Sequence, residues 1–394
     1  MNGRSAFAPA LVIMTLLVAG AEFLFRYESA PLEDAGWLLG DCVAYRDIAR
    51  SLLSNGSVDY RLVNGREARR YTDGGKFTRS ATRSTISLTV DGRLVPKHTV
   101  LFAAVLVPAY ALLGEAGLLI FNWAQCALLV VLAYWLSTRY FSPPVGFAAA
   151  AAFLIDGMLG NYTYNVSPDI FGAVLVLGGT LWVWRPGSSR LGSLGGGVLL
   201  GLAVWMRPTN LIGLAALSPL VVTSLRRREA DARPGYALAG FAVGVSGFLL
   251  LNAFWFGSPF TTSYDRVAIL NDGVLSTASH RADFNRPFWP SILPTLLTDK
   301  QGFLLTAPHW PLVLPALFYL LRRRATEAMA LAALVFGPVI VLLKYDHWQS
   351  SHFGNRFLFL PAAVSALGVA WLVQMAANRF EADAAERPAE GPGV

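Results

Sequence analysis

Two carboxylates stand where a polar segment meets an apolar one: Asp41 at the head of DCVAYRDIARSLL, and Asp169 at the end of NYTYNVSPD. Aspartate at a helix start satisfies free backbone N–H groups, and capping is the first reading of both. A carboxylate in that place can also take a proton from an incoming hydroxyl. Tyr45 lies one turn from Asp41 and can line the same pocket, whereas Asp47 faces elsewhere and has Arg46 or Arg50 to pair with. Asp156, near the end of its own apolar run, is a weaker candidate of the same kind.

Cations gather at three other places. Lys97 and His98, in Pro96-Lys97-His98, come just before an apolar run. A lysine there either snorkels to lipid headgroups or meets a lipid phosphate as a point charge. Arg207-Pro208-Thr209-Asn210 interrupts an apolar hairpin, and Arg207 there calls for an anion or an acidic partner such as Glu22. The stretch KYDHWQSSHFGNRF holds Lys344, Asp346, His347, Trp348, His352, Asn355 and Arg356. Its spacing is not a zinc signature, and no cysteine joins it. A mixture of Arg, His and Trp suits a phosphate or a sugar. The plain alternative is an aromatic belt with anchoring cations.

The elements that must position these groups are membrane helices. Only 14% of the 394 residues are charged and 54% are hydrophobic, against roughly 25% charged in soluble domains. Apolar runs near 6–25, 99–113, 117–137, 144–157, 169–184, 194–206, 209–225, 236–256, 302–321, 325–344 and 357–376 predict an all-α polytopic membrane protein. The run 6–25 is long enough to span and lacks a clear signal cleavage site.

Arg139, Arg185 with Arg190, Arg226 to Arg228 and Arg322 to Arg324 occupy short loops, which the positive-inside rule puts in the cytoplasm. Satisfying all four requires that only one of 99–113 and 117–137 cross, and the shorter run, 99–113, is the better non-spanning candidate. The expectation is then about ten spans, both termini cytoplasmic, and segments 26–98, 158–168, 257–301 and 345–356 outside. Within 26–98, residues 41–53 predict an interfacial helix, and TDGGKFT and LTVDGRLV each predict a small β-hairpin. Residues 1–380 read as one transmembrane domain that includes the outer loop, and 381–394 as a disordered cytoplasmic tail. The net charge of +7 marks topology and headgroup contact, not nucleic acid. The two cysteines, Cys42 and Cys126, make no disulfide framework. Composition and the lack of a eukaryotic targeting signal point to a bacterial inner membrane.

In this order along the chain, the segments GDCVAYRDIARSLLSNG, PKHTVLFAAVLVPAYALLG, NYTYNVSPD, MRPTN, FGSPFTTSY, GFLLTAP and HWQSSHFGNRFL make the sequence similar to the GT-C superfamily of membrane glycosyltransferases. The resemblance is to the branch of protein O-mannosyltransferases and the lipid A aminoarabinose transferase. It departs at Lys97-His98-Thr99, where that branch shows Lys-Pro-Pro, and at Ser350-Ser351. The resemblance implies transfer of a sugar from a polyprenyl-phosphate donor to a glycan, lipid or protein acceptor on the periplasmic face. Asp41 would be the general base, Asp169 would orient the acceptor or sugar hydroxyls, and Lys97, Arg207, His347 and Arg356 would stabilise the leaving phosphate. His98, Tyr45 and His352 would complete the substrate contacts. No metal-ligand cluster of convincing spacing is present, so no metal or other cofactor is expected. The alternative class is a transporter or lipid-linked glycan flippase, for which inverted repeats and broken mid-membrane helices are expected; neither is legible.

Overall fold

The computed structural model describes residues 7–27, 41–63, 72–73, 76–77, 86–155, 158–227, 233–271, 274–279, 284–297, 302–346 and 355–386. The chain opens with α1 (Phe7–Tyr27) and α2 (Asp41–Asn55). On α2, Val43, Ala44 and Ile48 of the expected apolar face are buried, but Leu53, expected on the same face, is exposed, and Tyr45, Asp47 and Ser51 are buried as well, so the helix is covered on more than one side. It packs on α3 (Val100–Thr138).

α3 is two helices joined at a corner. Gly114 has φ 58° and ψ −137° there, a region open to glycine because it has no Cβ. A Cβ on Gly117 would lie 1.9 Å from the Ala109 carbonyl oxygen, so the backbone doubles close on itself. The corner falls between the two runs that the sequence separates, 99–113 and 117–137.

Next come α4 (Pro143–Ile155), the single turn α5 (Met158–Asn161), α6 (Pro168–Val183), α7 (Arg190–Met206), α8 (Ser218–Arg227) and α9 (Arg233–Phe256). α7 and α9 touch through small residues. A Cβ on Gly197 would fall 2.0 Å from the Ala237 oxygen, and one on Gly240 2.0 Å from the Leu194 oxygen. Such stripes let membrane helices approach backbone to backbone. The chain closes with α10 (Phe288–Leu297), α11 (Phe303–Thr306), α12 (Val313–Leu321), α13 (Ala325–Lys344) and α14 (Phe359–Glu386).

Three expected helices differ in detail. The first half of 209–225 is a 3₁₀ helix, Pro208–Leu217, and Asn210 Nδ2 ties that turn to the Ala203 carbonyl at 2.9 Å. The run 302–321 breaks into α11, a 3₁₀ turn Trp310–Leu312 and α12, because Pro308 and Pro311 bring no N–H donors. α14 runs on through Glu381–Glu386, into the segment expected to be disordered, because its Ala and Glu residues are good helix formers. Residues 387–394 lie outside the described residues.

Among the described residues, six helical segments are long and apolar enough to cross a membrane: 7–24, 100–138, 208–226, 233–256, 325–344 and 356–382. The other four expected spans correspond to the shorter apolar helices 143–155, 168–183, 190–206 and 310–321. The protein is a multi-pass membrane protein.

Both Asp-Gly hairpins are present: β1 (Thr72–Asp73) with β2 (Lys76–Phe77), and β3 (Ile86–Leu88) with β4 (Leu94–Pro96). A third hairpin, β5 (Val267–Asn271) with β6 (Val274–Ala278), adds to β3 and makes a sheet of order β4-β3-β5-β6. Ser87 Oγ donates to the Ser263 carbonyl at 2.7 Å across this seam. Segments 26–98 and 257–301 are therefore joined through one sheet.

Three of the arginine-rich loops, those at Arg139, Arg185 and Arg322 to Arg324, meet around Glu327. Arg139 Nε and Nη2 each reach the Glu327 carboxylate at 3.0 Å, and Nη1 donates to the Trp184 carbonyl at 2.9 Å. Tyr140 also donates to Glu327, at 2.5 Å. This contact pins the ends of α3, α6 and α13 together. Replacing Glu327 with Gln loses a bidentate charged pair, and is expected to lower stability by about 2 kcal/mol, measured as thermal unfolding in detergent.

Candidate active site

Asp169 lies in the first turn of α6, at the end opposite Trp184, and the 16-residue helix is about 24 Å long at 1.5 Å per residue. Asp169 does not cap this helix. Ser167 is the N-cap and accepts from the Asp169 N–H, while Pro168 holds the first helical position. The Asp169 carboxylate is thereby free to take Arg207, which donates from Nε at 2.7 Å and from Nη2 at 3.1 Å. Arg207 sits at the C-terminal end of α7, held extended by the Pro208 that follows. Its acidic partner is Asp169, not Glu22.

Asp41 is also not spent on capping. Its Oδ2 accepts from Arg356 Nη2 at 2.8 Å, and its Oδ1 lies 3.3 Å from His98 Nε2. Arg356 Nε lies 3.6 Å from Asp169 Oδ2. The result is a row of alternating charge, Asp41, Arg356, Asp169 and Arg207, with His98 beside its Asp41 end. Both guanidinium groups lean on the ring of Phe357, at 5.2 Å for Arg207 and 5.4 Å for Arg356, so one aromatic face seats two cations. Tyr264 closes the row by accepting from Arg207 Nη1 at 2.8 Å.

Electrostatics follow from this packing. Burial by itself raises the Asp41 pKa, but the charges of His98 and Arg356 outweigh it and hold the carboxyl well below its ordinary value. Burial lowers the pKa of His98, against the pull of Asp41. His98 is 5% exposed and packs beside Tyr45 at 5.7 Å and Tyr264 at 6.4 Å between ring centroids.

The arginines and Asp169 border a cavity of about 300 Å³. Its lining combines polar side chains, Asp169, Arg207, Arg356, Tyr264, Thr262 and Asp265, with an apolar set, Pro338, Val341 and Leu342 of α13 with Phe284 and Leu360. Such a lining can hold an anion against its arginines and a hydrocarbon chain against its apolar wall. Asp41 does not border it; Arg356 stands between them.

Of the candidates read from the sequence, Asp41, Asp169, Arg207, Arg356, His98 and Tyr45 come together. Lys97 is adjacent and buried, and its carbonyl accepts from Ser263 at 2.6 Å. His347, His352 and Asp156 lie outside the described residues. Tyr264 and Phe357 were missed as individual residues, although both lie in the segments FGSPFTTSY and HWQSSHFGNRFL that carried the resemblance. Cys42 is buried and bonds to Asn165 and to the Val166 carbonyl, tying α2 to the segment before α6.

No family profile matches the chain, and no curated protein matches it in sequence. Solved structures do match. ArnT from Cupriavidus metallidurans bound to undecaprenyl phosphate matches at TM-score 0.55 and 15% identity, over 98% of this chain and 66% of that one. The archaeal oligosaccharyltransferase AglB from Archaeoglobus fulgidus, in complex with an inhibitory peptide and a dolichol-phosphate, matches at TM-score 0.52 and 12% identity, over 100% of this chain and 53% of that one. The chain thus spans about two thirds of the length of ArnT and about half that of AglB. Both are GT-C proteins, and the fold of this chain is the GT-C fold.

Proposed function

We propose that this protein is a glycosyltransferase that moves a sugar from a polyprenyl-phosphate carrier to an acceptor hydroxyl, with inversion and with Asp41 as general base. The observation that carries the reading is the cavity, whose lining joins two guanidinium groups to an apolar wall. The matched ArnT structure holds undecaprenyl phosphate and the matched AglB structure a dolichol-phosphate, lipids with that same pairing of an anionic head and a long apolar tail. On this reading the site faces the periplasm of a bacterial inner membrane, the termini and arginine-rich loops are cytoplasmic, and residues 1–380 work as one domain.

The chemistry is a single displacement. The acceptor oxygen forms a bond to the anomeric carbon as the bond from that carbon to the phosphate oxygen breaks. The electron pair leaves with the phosphate, where Arg207 and Arg356 stabilise it. The hydroxyl proton passes to Asp41. Tyr264 accepts from Arg207, which leaves its own proton to donate to the phosphate. Tyr264→Phe is therefore expected to weaken carrier binding about fivefold, the loss of one hydrogen bond, measured with undecaprenyl phosphate by thermal shift.

The test of the function is donor turnover. Purified protein is given undecaprenyl phosphate carrying a labelled hexose, with a total bacterial envelope extract as acceptor. The reading expects label to leave the lipid and appear on an acceptor. Label that only crosses a liposome membrane, still attached to its lipid, would contradict it in favour of a flippase.

A further inference from the structure

Arg356 has an anion site on each side. It borders the cavity with Arg207 on one side. On the other its Nη2 is bonded to Asp41, which the cavity does not reach. The two arginines are held very differently. Arg207 is fixed by two hydrogen bonds to Asp169 and one to Tyr264. Among the described residues Arg356 donates a single hydrogen bond, to Asp41, and otherwise only nears Asp169 at 3.6 Å.

Asp41 has a second neighbour besides the arginine, since His98 Nε2 lies 3.3 Å from the other carboxylate oxygen. His98 is buried between the rings of Tyr45 and Tyr264. It has no room to follow the arginine toward the cavity. One of the two partners of Asp41 is therefore free to turn and the other is not.

We propose that Arg356 is shared between Asp41 and the phosphate of the lipid-linked donor, so that donor binding draws the guanidinium into the cavity and uncovers the base. The inference rests on the transferase reading. A guanidinium offers its N–H groups in a rigid fork, and a phosphate that takes Nη1 and Nη2 together competes directly for the Nη2 now bonded to Asp41. The empty site keeps the carboxylate covered by a cation, which makes it a poor proton acceptor. The filled site leaves it with His98 alone, and the donor binds before the acceptor is activated. Asp41 thus has two jobs: it holds Arg356 while the cavity is empty and takes the proton once it is full.

The test is a double-mutant cycle on carrier binding, which requires no knowledge of the acceptor. Affinity for undecaprenyl phosphate is measured for the wild type, D41N, R356Q and D41N/R356Q. D41N removes the competitor for Arg356 and is expected to bind about threefold to tenfold more tightly than the wild type. R356Q is expected to bind more weakly, and in that background D41N is expected to change nothing. Equal or weaker binding by D41N overturns the proposal. So does a D41N gain that persists in the R356Q background, because it would then be a general effect of charge. If R356Q does not fold, R356K keeps the cation without the fork, and the D41N gain should shrink in that background; an undiminished gain overturns the proposal. A wild type that does not bind undecaprenyl phosphate at all would remove the transferase reading itself, a result distinct from any of these.

Discussion

Asn at position 41 is expected to lower the transfer rate by about 100- to 10,000-fold, the usual contribution of a positioned general base. The substitution keeps the shape of the side chain and its place beside His98 and Arg356, and removes only its ability to hold a proton. The loss should fall on kcat, while carrier binding tightens as the competition for Arg356 is removed. The pH dependence has a definite sign. The native Asp41 pKa lies below the ordinary carboxylate value because His98 and Arg356 outweigh the effect of burial. The carboxylate is therefore ionised across the neutral range, and activity that depends on it is lost only as pH falls through that lowered value. Between about pH 6 and pH 8 the wild-type rate should show no limb from Asp41. A limb near neutrality that disappears in D41N would show that the carboxylate is not held as described.

Arg207→Gln should be the most destabilising change at the site. Arg207 and Asp169 are 13% and 4% exposed and joined by two hydrogen bonds. Removing the cation strands a buried carboxylate, a change that typically costs about 3–5 kcal/mol. Arg356, at 3.6 Å from Asp169, compensates in part and places the expected loss at the lower end of that range. Arg207→Lys keeps the charge but not the fork, and should fall between the two. Thermal unfolding without added lipid is the measurement. An R207Q protein that melts with the wild type would show that the pair contributes nothing to the fold.

Much of this architecture was legible because periodicity and charge are local properties. The break between 99–113 and 117–137 is the Gly114 corner, and the shared side of Arg139, Arg185 and Arg322 to Arg324 appears as the cluster of those loops around Glu327. Asp41, Asp169, Arg207 and Arg356 were each identified from a polar residue placed at the edge of an apolar run. Their pairing was not legible: Arg207 and Asp169 are 38 positions apart and Arg356 and Asp41 are 315, and no pattern within a segment couples residues so distant. The default reading of both aspartates as caps failed for the same reason. A capping carboxylate and an ion-paired one look alike until the partner arrives, and at Asp169 the cap is Ser167. The β5–β6 hairpin carried its own signal in Asn271-Asp272-Gly273 between strand-like residues. Its addition to β3, which sets Tyr264 against His98, depends on a contact between residues 87 and 267.

The central claim is that the cavity beside Arg207 and Arg356 seats a polyprenyl phosphate. The most direct measurement is photocrosslinking with undecaprenyl phosphate that carries a diazirine on its first isoprene unit, followed by peptide mapping. Adducts are predicted on α13 around Pro338, Val341 and Leu342 and on Phe357 to Leu360, suppressed by unlabelled undecaprenyl phosphate and not by undecaprenol. Adducts confined to other helices, or suppressed equally by undecaprenol, would contradict it.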